Sequence, residues 1–223
     1  MTKVLCPGSF DPITNGHLNI ITRARDLFGE VLVAVGCNSL KAGYLFGEQR
    51  IGLVREATAH LDGVTVEEMD GLLVDFAREH GITTVVKGLR FGADFDFELQ
   101  LANMNHSLTG LETVLLPAAA QHVTLSSTIT REVIKLGGDV SPHVPPCVAE
   151  AAARAVVALL AGPEAVMGGP WHEAVAHWHG GRIRKLVRRA RGHRWEEVGA
   201  LPGVTITQDG PTGWAPAQAR ALV

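Results

Sequence analysis

The chain has 223 residues, 46% of them hydrophobic and 19% charged, with a formal net charge of -3. This suits a globular protein with an ample core, and the weak net charge gives no overall pointer to nucleic acid or a membrane surface. Three cysteines, Cys6, Cys37 and Cys147, lie far apart and form no C-x-x-C, which argues against a disulfide framework and a structural zinc site and predicts buried reduced thiols.

The N-terminus runs straight into an apolar strand, Val4-Leu5-Cys6, without the apolar core and cleavage site of a signal peptide. The longest apolar stretch, Ala149–Gly162, contains Glu150 and Arg154 and is too short to span a bilayer, so a cytoplasmic protein with no membrane contact is expected. Between the first strand and a helix over Leu18–Phe28 lies Pro7-Gly8-Ser9-Phe10-Asp11-Pro12-Ile13-Thr14-Asn15-Gly16-His17. Two prolines and two glycines make this connection tight. A glycine-rich turn leading into a helix brings backbone N–H groups and the helix N-terminus together, a setting for a phosphate. His17 would face an anion held there, although a histidine at a helix start is also read simply as a cap.

Val31–Gly36 is a continuous apolar run, expected of a strand buried on both faces. Glu48–His60 has a helical apolar face, Val64–Glu67 is a third strand, and Leu72–His80 is a helix closed by Gly81 as its C′ residue. Thr84–Lys87 is a fourth strand. Phe91–Leu108 is a long helix with Phe95, Leu99, Ala102 and Asn105 along one stripe, and Thr113–Leu116 is a fifth strand. Five strands alternating with helices predict an α/β fold with a doubly wound parallel sheet. Ligands in such sheets bind beyond the C-terminal strand ends. Polar residues, cations and glycines gather there: Gly8 to His17 after the first strand, Lys41 after the second, Asp70-Gly71 after the third, Lys87-Gly88-Leu89-Arg90 after the fourth, and Ser126-Ser127-Thr128-Ile129-Thr130-Arg131 beyond the fifth. Lys41, Lys87 and Arg90 suit a polyanionic substrate.

Thr14-Asn15-Gly16-His17 in its Pro-Gly-Ser-Phe-Asp-Pro setting resembles the (H/T)-x-G-H signature of the nucleotidylyltransferase superfamily. Ser126 to Arg131 resembles that superfamily's second signature, with Leu125 in place of isoleucine. Lys87-Gly88-Leu89-Arg90 and Asp94 to Asn105 are similar to the phosphopantetheine adenylyltransferase family within it. The resemblance runs from about Lys3 to Leu160 and implies a Rossmann-like domain over residues 1–161. It further implies adenylyl transfer from ATP to 4′-phosphopantetheine with Mg²⁺, giving dephospho-coenzyme A and pyrophosphate. Dephospho-coenzyme A or coenzyme A would be a product or feedback ligand, and a homo-hexamer is implied. On the matching positions, His17 would stabilise the transition state at the α-phosphate. Lys41 and Lys87 would bind the attacking phosphate, and Arg90 the ATP phosphates. Gly8, Ser9, Phe10 and Gly88 would line the ATP loop, with Ser9 also touching substrate, and Glu98 would contact the ribose. Ser126, Ser127 and Thr128 would close over the triphosphate, and Leu72, Leu73 and Asn105 would line the pantetheine arm. Read from the residues alone, Leu72 and Leu73 could equally be core and Glu98 a solvated helix face. Lys87 stands where many members carry arginine, and His122 where an aromatic often stands to touch adenine.

Residues 162–223 extend beyond the usual length of the family and are expected to form a small α+β extension. Gly162-Pro163 and Gly168-Gly169-Pro170 mark a linker, and seven cations fall between Arg182 and Arg194. Trp171, Val175 and Trp178 fall at helical spacing. Arg182–Arg191 reads as a basic amphipathic helix, with Ile183, Leu186, Val187 and Ala190 as its apolar face. Such a helix docks on a core, binds RNA or phosphate, or meets a membrane or partner, so nucleic-acid contact is expected only through this tail. Gly203–Thr207 reads as a strand. Two other functions stay open at this point: a nucleotidylyltransferase for nicotinamide mononucleotide or a glycerol phosphate, and a nucleic-acid-binding protein acting through the tail.

Overall fold

Val31, Leu32, Val33, Ala34 and Val35 are no more than 2% exposed, as a strand covered on both faces requires. They belong to the central sheet of a computed structural model that describes residues 2–36 and 45–161, and beyond these the strand backbone at 171–179, 182–190, 196–200, 206–207, 210–211 and 220–221. The chain divides into two compact units, Met1–Thr128 and Ile129–Val223.

In the first unit, strands and helices alternate as β1 (Thr2–Gly8), α1 (Asn15–Phe28), β2 (Gly29–Gly36), α2 (Gln49–Thr58), β3 (Val64–Met69), α3 (Leu73–Glu79), β4 (Thr84–Leu89), α4 (Gly92–Thr109) and β5 (Glu112–Pro117). All neighbouring strands pair in parallel, in the order β3-β2-β1-β4-β5. The chain winds outward from β1 to β3 on one side, then returns to place β4 and β5 on the other. The topological switch therefore falls between β1 and β4, the position where open α/β sheets bind ligands. Each expected strand and helix of this unit is present. Leu5, Leu32 and Val85 of the sheet pack with Val74, Phe76 and Ala77 of α3 and with Ile82 and Leu111, forming the core on that face. On α4 the expected apolar stripe is not covered within a single chain: Phe95 and Leu99 are 43% and 41% exposed.

Helix α3 ends in a Schellman motif, as Gly81 foretold. Gly81 adopts φ +64°, its N–H donates to Arg78 O (3.1 Å), and Ile82 N–H donates to Ala77 O (2.9 Å). At this end His80 Nδ1 meets Phe76 O at 2.8 Å and Nε2 meets Glu67 Oε2 at 2.9 Å. The Phe76 carbonyl and then the Glu67 carboxylate raise the His80 pKa above its ordinary value. A raised folded-state pKa contributes stability that is complete below the unfolded value, about 6.5, and is lost as pH rises through the folded value. His80→Gln should therefore lower the melting temperature at about pH 5.5 and matter less at about pH 8.5. A melting deficit equal at both pH values would contradict this.

Helix α5 (Ser127–Lys135) begins at the end of the first unit. The second unit contains α6 (Pro146–Ala161) and an antiparallel sheet of β6 (Trp171–His179), β7 (Arg182–Ala190), β8 (Glu196–Ala200) and β11 (Arg220–Ala221), ordered β11-β6-β7-β8. A short ladder joins β9 (Ile206–Thr207) to β10 (Gly210–Pro211). The basic helix expected over 182–191 is instead strand β7, and the helical spacing around Trp171 to Trp178 falls in strand β6. The two pair antiparallel with His179 opposite Arg182. Gly180-Gly181 between them is a two-residue hairpin signal that outweighs the helical periodicity of a short segment. Of the strand expected at 203–207, residues 203–205 lie outside the described residues. No helix among the described residues is long and apolar enough to cross a membrane. Cys6 and Cys147 are buried free thiols, as expected, while Cys37 lies outside the described residues.

Candidate active site at the switch between β1 and β4

The loop after β1 is built around Thr14. It is the N-cap of α1, and its side chain accepts from His17 N–H (3.4 Å). His17 answers as the third helical residue, its Nδ1 accepting from the Thr14 backbone N–H at 3.0 Å. This is a capping box with histidine in the place usual for Glu or Gln. It also fixes the imidazole. A nitrogen that accepts from a backbone N–H carries no proton in the neutral ring, so the hydrogen bond assigns the proton to Nε2. Nε2 thus carries the N–H of the neutral ring, and His17 lines the cavity.

Phe10 supports the same ring. Its side chain is 5% exposed and stands edge-on to His17, with centroids 5.3 Å apart at 76°. Its backbone has φ +44°, a strained value for a bulky residue. Gly8 makes room for it, since a Cβ there would lie 2.8 Å from Phe10 Cζ. The Asp11–Pro12 peptide is cis. Asp11, 1% exposed, accepts the N–H groups of Leu45 and Phe46, both at 3.0 Å. Arg50, 5% exposed, donates from Nη1 to Ser9 O (2.6 Å) and Gly36 O (3.1 Å) and from Nε to Gly47 O (2.8 Å). The ends of β1 and β2 and the start of α2 are therefore tied together by one buried cation. Asp11 and Arg50 are the residues that sequence reasoning passed over. Asp11 sits inside the first motif but carries no visible role there, and Arg50 reads as a polar position on a surface helix.

At the end of β4, Lys87 Nζ lies 3.3 Å from Glu98 Oε1 of α4. Gly88 packs under α1, where a Cβ would approach Ile20 Cγ1 to 2.9 Å. Arg90 donates from Nε to Asp94 Oδ2 (3.0 Å) and from Nη2 to Asp94 Oδ1 (3.1 Å), and from Nη1 to Leu125 O (3.1 Å). The second motif is tied to the first by Ser127 Oγ, which donates to Pro12 O at 2.8 Å. Ser127 thus has a holding role of its own beside the expected one.

One cavity of about 730 Å³ is lined by Gly8, Ser9, Phe10, His17, Lys87, Gly88, Arg90 and Glu98, by Ser126, Ser127 and Thr128, and by Leu72, Leu73 and Asn105. Every site residue expected from the sequence, apart from Lys41, is brought to it. Lys41 lies outside the described residues. The lining is of two kinds. Loop, strand-end and helix-start residues supply hydroxyls, cations and a histidine, while β3, the start of α3 with its N-cap and the later turns of α4 supply Met69, Leu72, Leu73, Leu101, Met104 and Leu108. Leu73 also packs against the core, whereas Leu72 is 62% exposed. His122 lines the cavity from the single turn of 3-10 helix Ala120–His122, beside Gly16. Cys6 reaches the lining, and burial pushes its thiol up to about 12 against the opposing pull of Lys87, which favours the protonated thiol at neutral pH. Among the described residues no group of three or more His, Cys, Asp and Glu could hold a metal ion.

The strand-loop-helix connection at the switch of a parallel sheet, lining one cavity with a second, serine-rich helix start, is the architecture of the cytidylyltransferase-like class, whose family profile matches residues 5–133. A Vibrio parahaemolyticus structure assigned to the nicotinate-nucleotide adenylyltransferases shares the fold, with TM-score 0.50 and 19% identity over 67% of this chain and 91% of that one. The phosphopantetheine adenylyltransferase of Streptomyces coelicolor is 52% identical over 151 residues, covering 68% of this chain and 95% of the relative. That of Paenarthrobacter aurescens is 53% identical over 146 residues, covering 65% and 88%. The chain belongs to the phosphopantetheine adenylyltransferase family.

Proposed function

We propose that this protein transfers the adenylyl group of ATP to 4′-phosphopantetheine, forming dephospho-coenzyme A and pyrophosphate in coenzyme A biosynthesis. The observation that carries the reading is a cavity in which cations, hydroxyls and a histidine adjoin an apolar wall. It suits one polyanion and a second substrate that is a phosphate at one end and a long, partly apolar arm at the other.

In the reaction an oxygen of the substrate phosphate forms a bond to the α-phosphorus of ATP, and the bond from that phosphorus to the pyrophosphate oxygen breaks. The nucleophile is already an anion, so the site needs no base to remove a proton. It must align two polyanions and answer the charge that builds on the α-phosphate. His17 Nε2–H is the donor for that charge. Lys87, with Lys41, holds the attacking phosphate, and Arg90 holds the ATP phosphates. The backbone of Gly8, Ser9, Phe10 and Gly88 and the side chains of Ser126, Ser127 and Thr128 surround the nucleotide, Glu98 meets its ribose, and Leu72, Leu73 and Asn105 line the pantetheine arm.

Nucleotidyltransferases of this kind generally use a divalent metal. The described acids offer no cage of their own, and Asp94 and Glu98 are engaged with cations. Mg²⁺ is therefore proposed to arrive with ATP, held by its phosphates and water. We assign the catalytic domain to residues 1–161 and leave residues 162–223 as a basic extension. The exposed Phe95 and Leu99 of α4 suit a contact with a second copy of the chain; we take the assembly to be the homo-hexamer implied by the family resemblance and its location to be the cytoplasm. Full-length protein with MgATP should release pyrophosphate with 4′-phosphopantetheine and not with nicotinamide mononucleotide or glycerol 3-phosphate. Faster release with either of the latter would overturn the assignment.

A further inference from the structure

Arg90 and Asp94 are held together more firmly than a surface pair. Arg90 follows β4, and Asp94 sits four residues on, in the first turn of α4. Both carboxylate oxygens are used on the guanidinium, at 3.0 and 3.1 Å, and Oδ2 also accepts the Arg90 backbone N–H at 3.2 Å. The pair is half-withdrawn from solvent, with side-chain exposures of 35% and 26%. Burial alone would raise the Asp94 carboxyl, but the hydrogen bonds and charge of Arg90 and the Phe91 N–H hold it below its ordinary value, so it is ionised at neutral pH. The Lys87–Glu98 contact differs: one oxygen meets one ammonium at 3.3 Å.

Counting donors shows what the arrangement leaves. Asp94 takes Nε–H and one Nη2–H along one edge of the fork, and Leu125 O takes one Nη1–H. One N–H on each terminal nitrogen is left over in the guanidinium inventory. Arg90 lines the cavity, so these are the donors available to an anion there. A long flexible side chain is thereby fixed in orientation before any ligand arrives, which removes the cost of ordering it on binding.

We propose that Asp94 is a positioning residue: it clamps the Arg90 guanidinium by one edge and presents its remaining N–H groups to the nucleotide phosphates. This deepens the proposed activity and rests on the phosphate role of Arg90. Asp94 would otherwise be only an acid at a helix start that happens to meet an arginine. A double-mutant cycle separates the two readings, because a residue that acts through Arg90 has nothing to act on once Arg90 is gone.

The experiment measures kcat and KM for ATP and for 4′-phosphopantetheine in the full-length wild type, Asp94→Asn, Arg90→Ala and the double variant. Asparagine keeps an acceptor for the Arg90 backbone N–H, so α4 keeps its start, and melting temperatures monitor this. If Asp94→Asn fails to fold, Asp94→Ser repeats the cycle. The expected result is a loss of about 10-fold in kcat/KM for ATP in the Arg90 background, with KM for 4′-phosphopantetheine unchanged, and a loss under about 2-fold in the Arg90→Ala background. Equal losses in both backgrounds, or no loss beside Arg90, overturn the proposal. Calorimetric binding of ATP to the same four proteins reads the cycle independently of turnover. A wild type that binds ATP yet leaves 4′-phosphopantetheine unchanged would sink the assigned reaction while the affinity cycle still decides the role of Asp94.

Discussion

His17→Ala should lower kcat by at least ~10²-fold, the scale of losing one oriented transition-state donor, while KM for ATP changes little. The hydrogen bond from Thr14 N–H to Nδ1 dictates this split. It leaves Nε2–H as the ring's donor, and Phe10 packs edge-on against the ring. A donor locked in place before substrate binds costs no reorganisation when charge develops on the α-phosphate. On the proposed roles the ground-state triphosphate is held by several other groups, so its affinity would depend less on this contact. The substitution also removes half of the capping box, for a stability loss of about 1 kcal/mol. Steady-state kinetics beside a denaturation curve separate the two effects. Turnover within a few-fold of wild type, in a folded protein, would remove His17 from its assigned role.

Arg50→Met should cost roughly 3 kcal/mol or more in stability, measured by denaturant unfolding, and should lower activity in the protein that remains folded. Methionine fills much of the same space, so the loss reflects charge and hydrogen bonding rather than a cavity. The carbonyls of Ser9, Gly36 and Gly47 lose a common donor in a place 5% exposed. Arg50→Lys should recover only part of both losses. An ammonium keeps the charge but lacks the planar fork that reaches three carbonyls from two nitrogens. The activity effect follows from Ser9 O, one residue before the strained Phe10 that backs His17. A stability loss under about 1 kcal/mol would show that Arg50 is replaceable packing rather than a clamp.

What the sequence made readable was what local chemistry determines. Val31–Gly36 reads as a doubly covered strand, Gly81 as the residue after a helix end, and the alternation of strand and helix as a parallel sheet. Residues past the strand ends then gathered at one edge by topology alone. The contacts that hold the site were not readable. Arg50 meets Ser9 across 41 positions, Ser127 meets Pro12 across 115, and no local pattern announces either. The positive φ of Phe10 leaves no trace in a residue type that usually avoids it. Asp94 could have been found by its spacing of four from Arg90 on a helix start. In the tail, Ile183, Leu186, Val187 and Ala190 satisfied a helical period while the chain formed a strand. Nine residues are too few for periodicity to choose when pairing with a neighbouring strand is available.

The most direct measurement is product stoichiometry with full-length protein, MgATP and either 4′-phosphopantetheine or pantetheine. Adenylyl transfer to a phosphate predicts equal amounts of dephospho-coenzyme A and pyrophosphate with the first substrate and neither with the second. Pyrophosphate released alongside free AMP, or product formed from pantetheine without its phosphate, would contradict it.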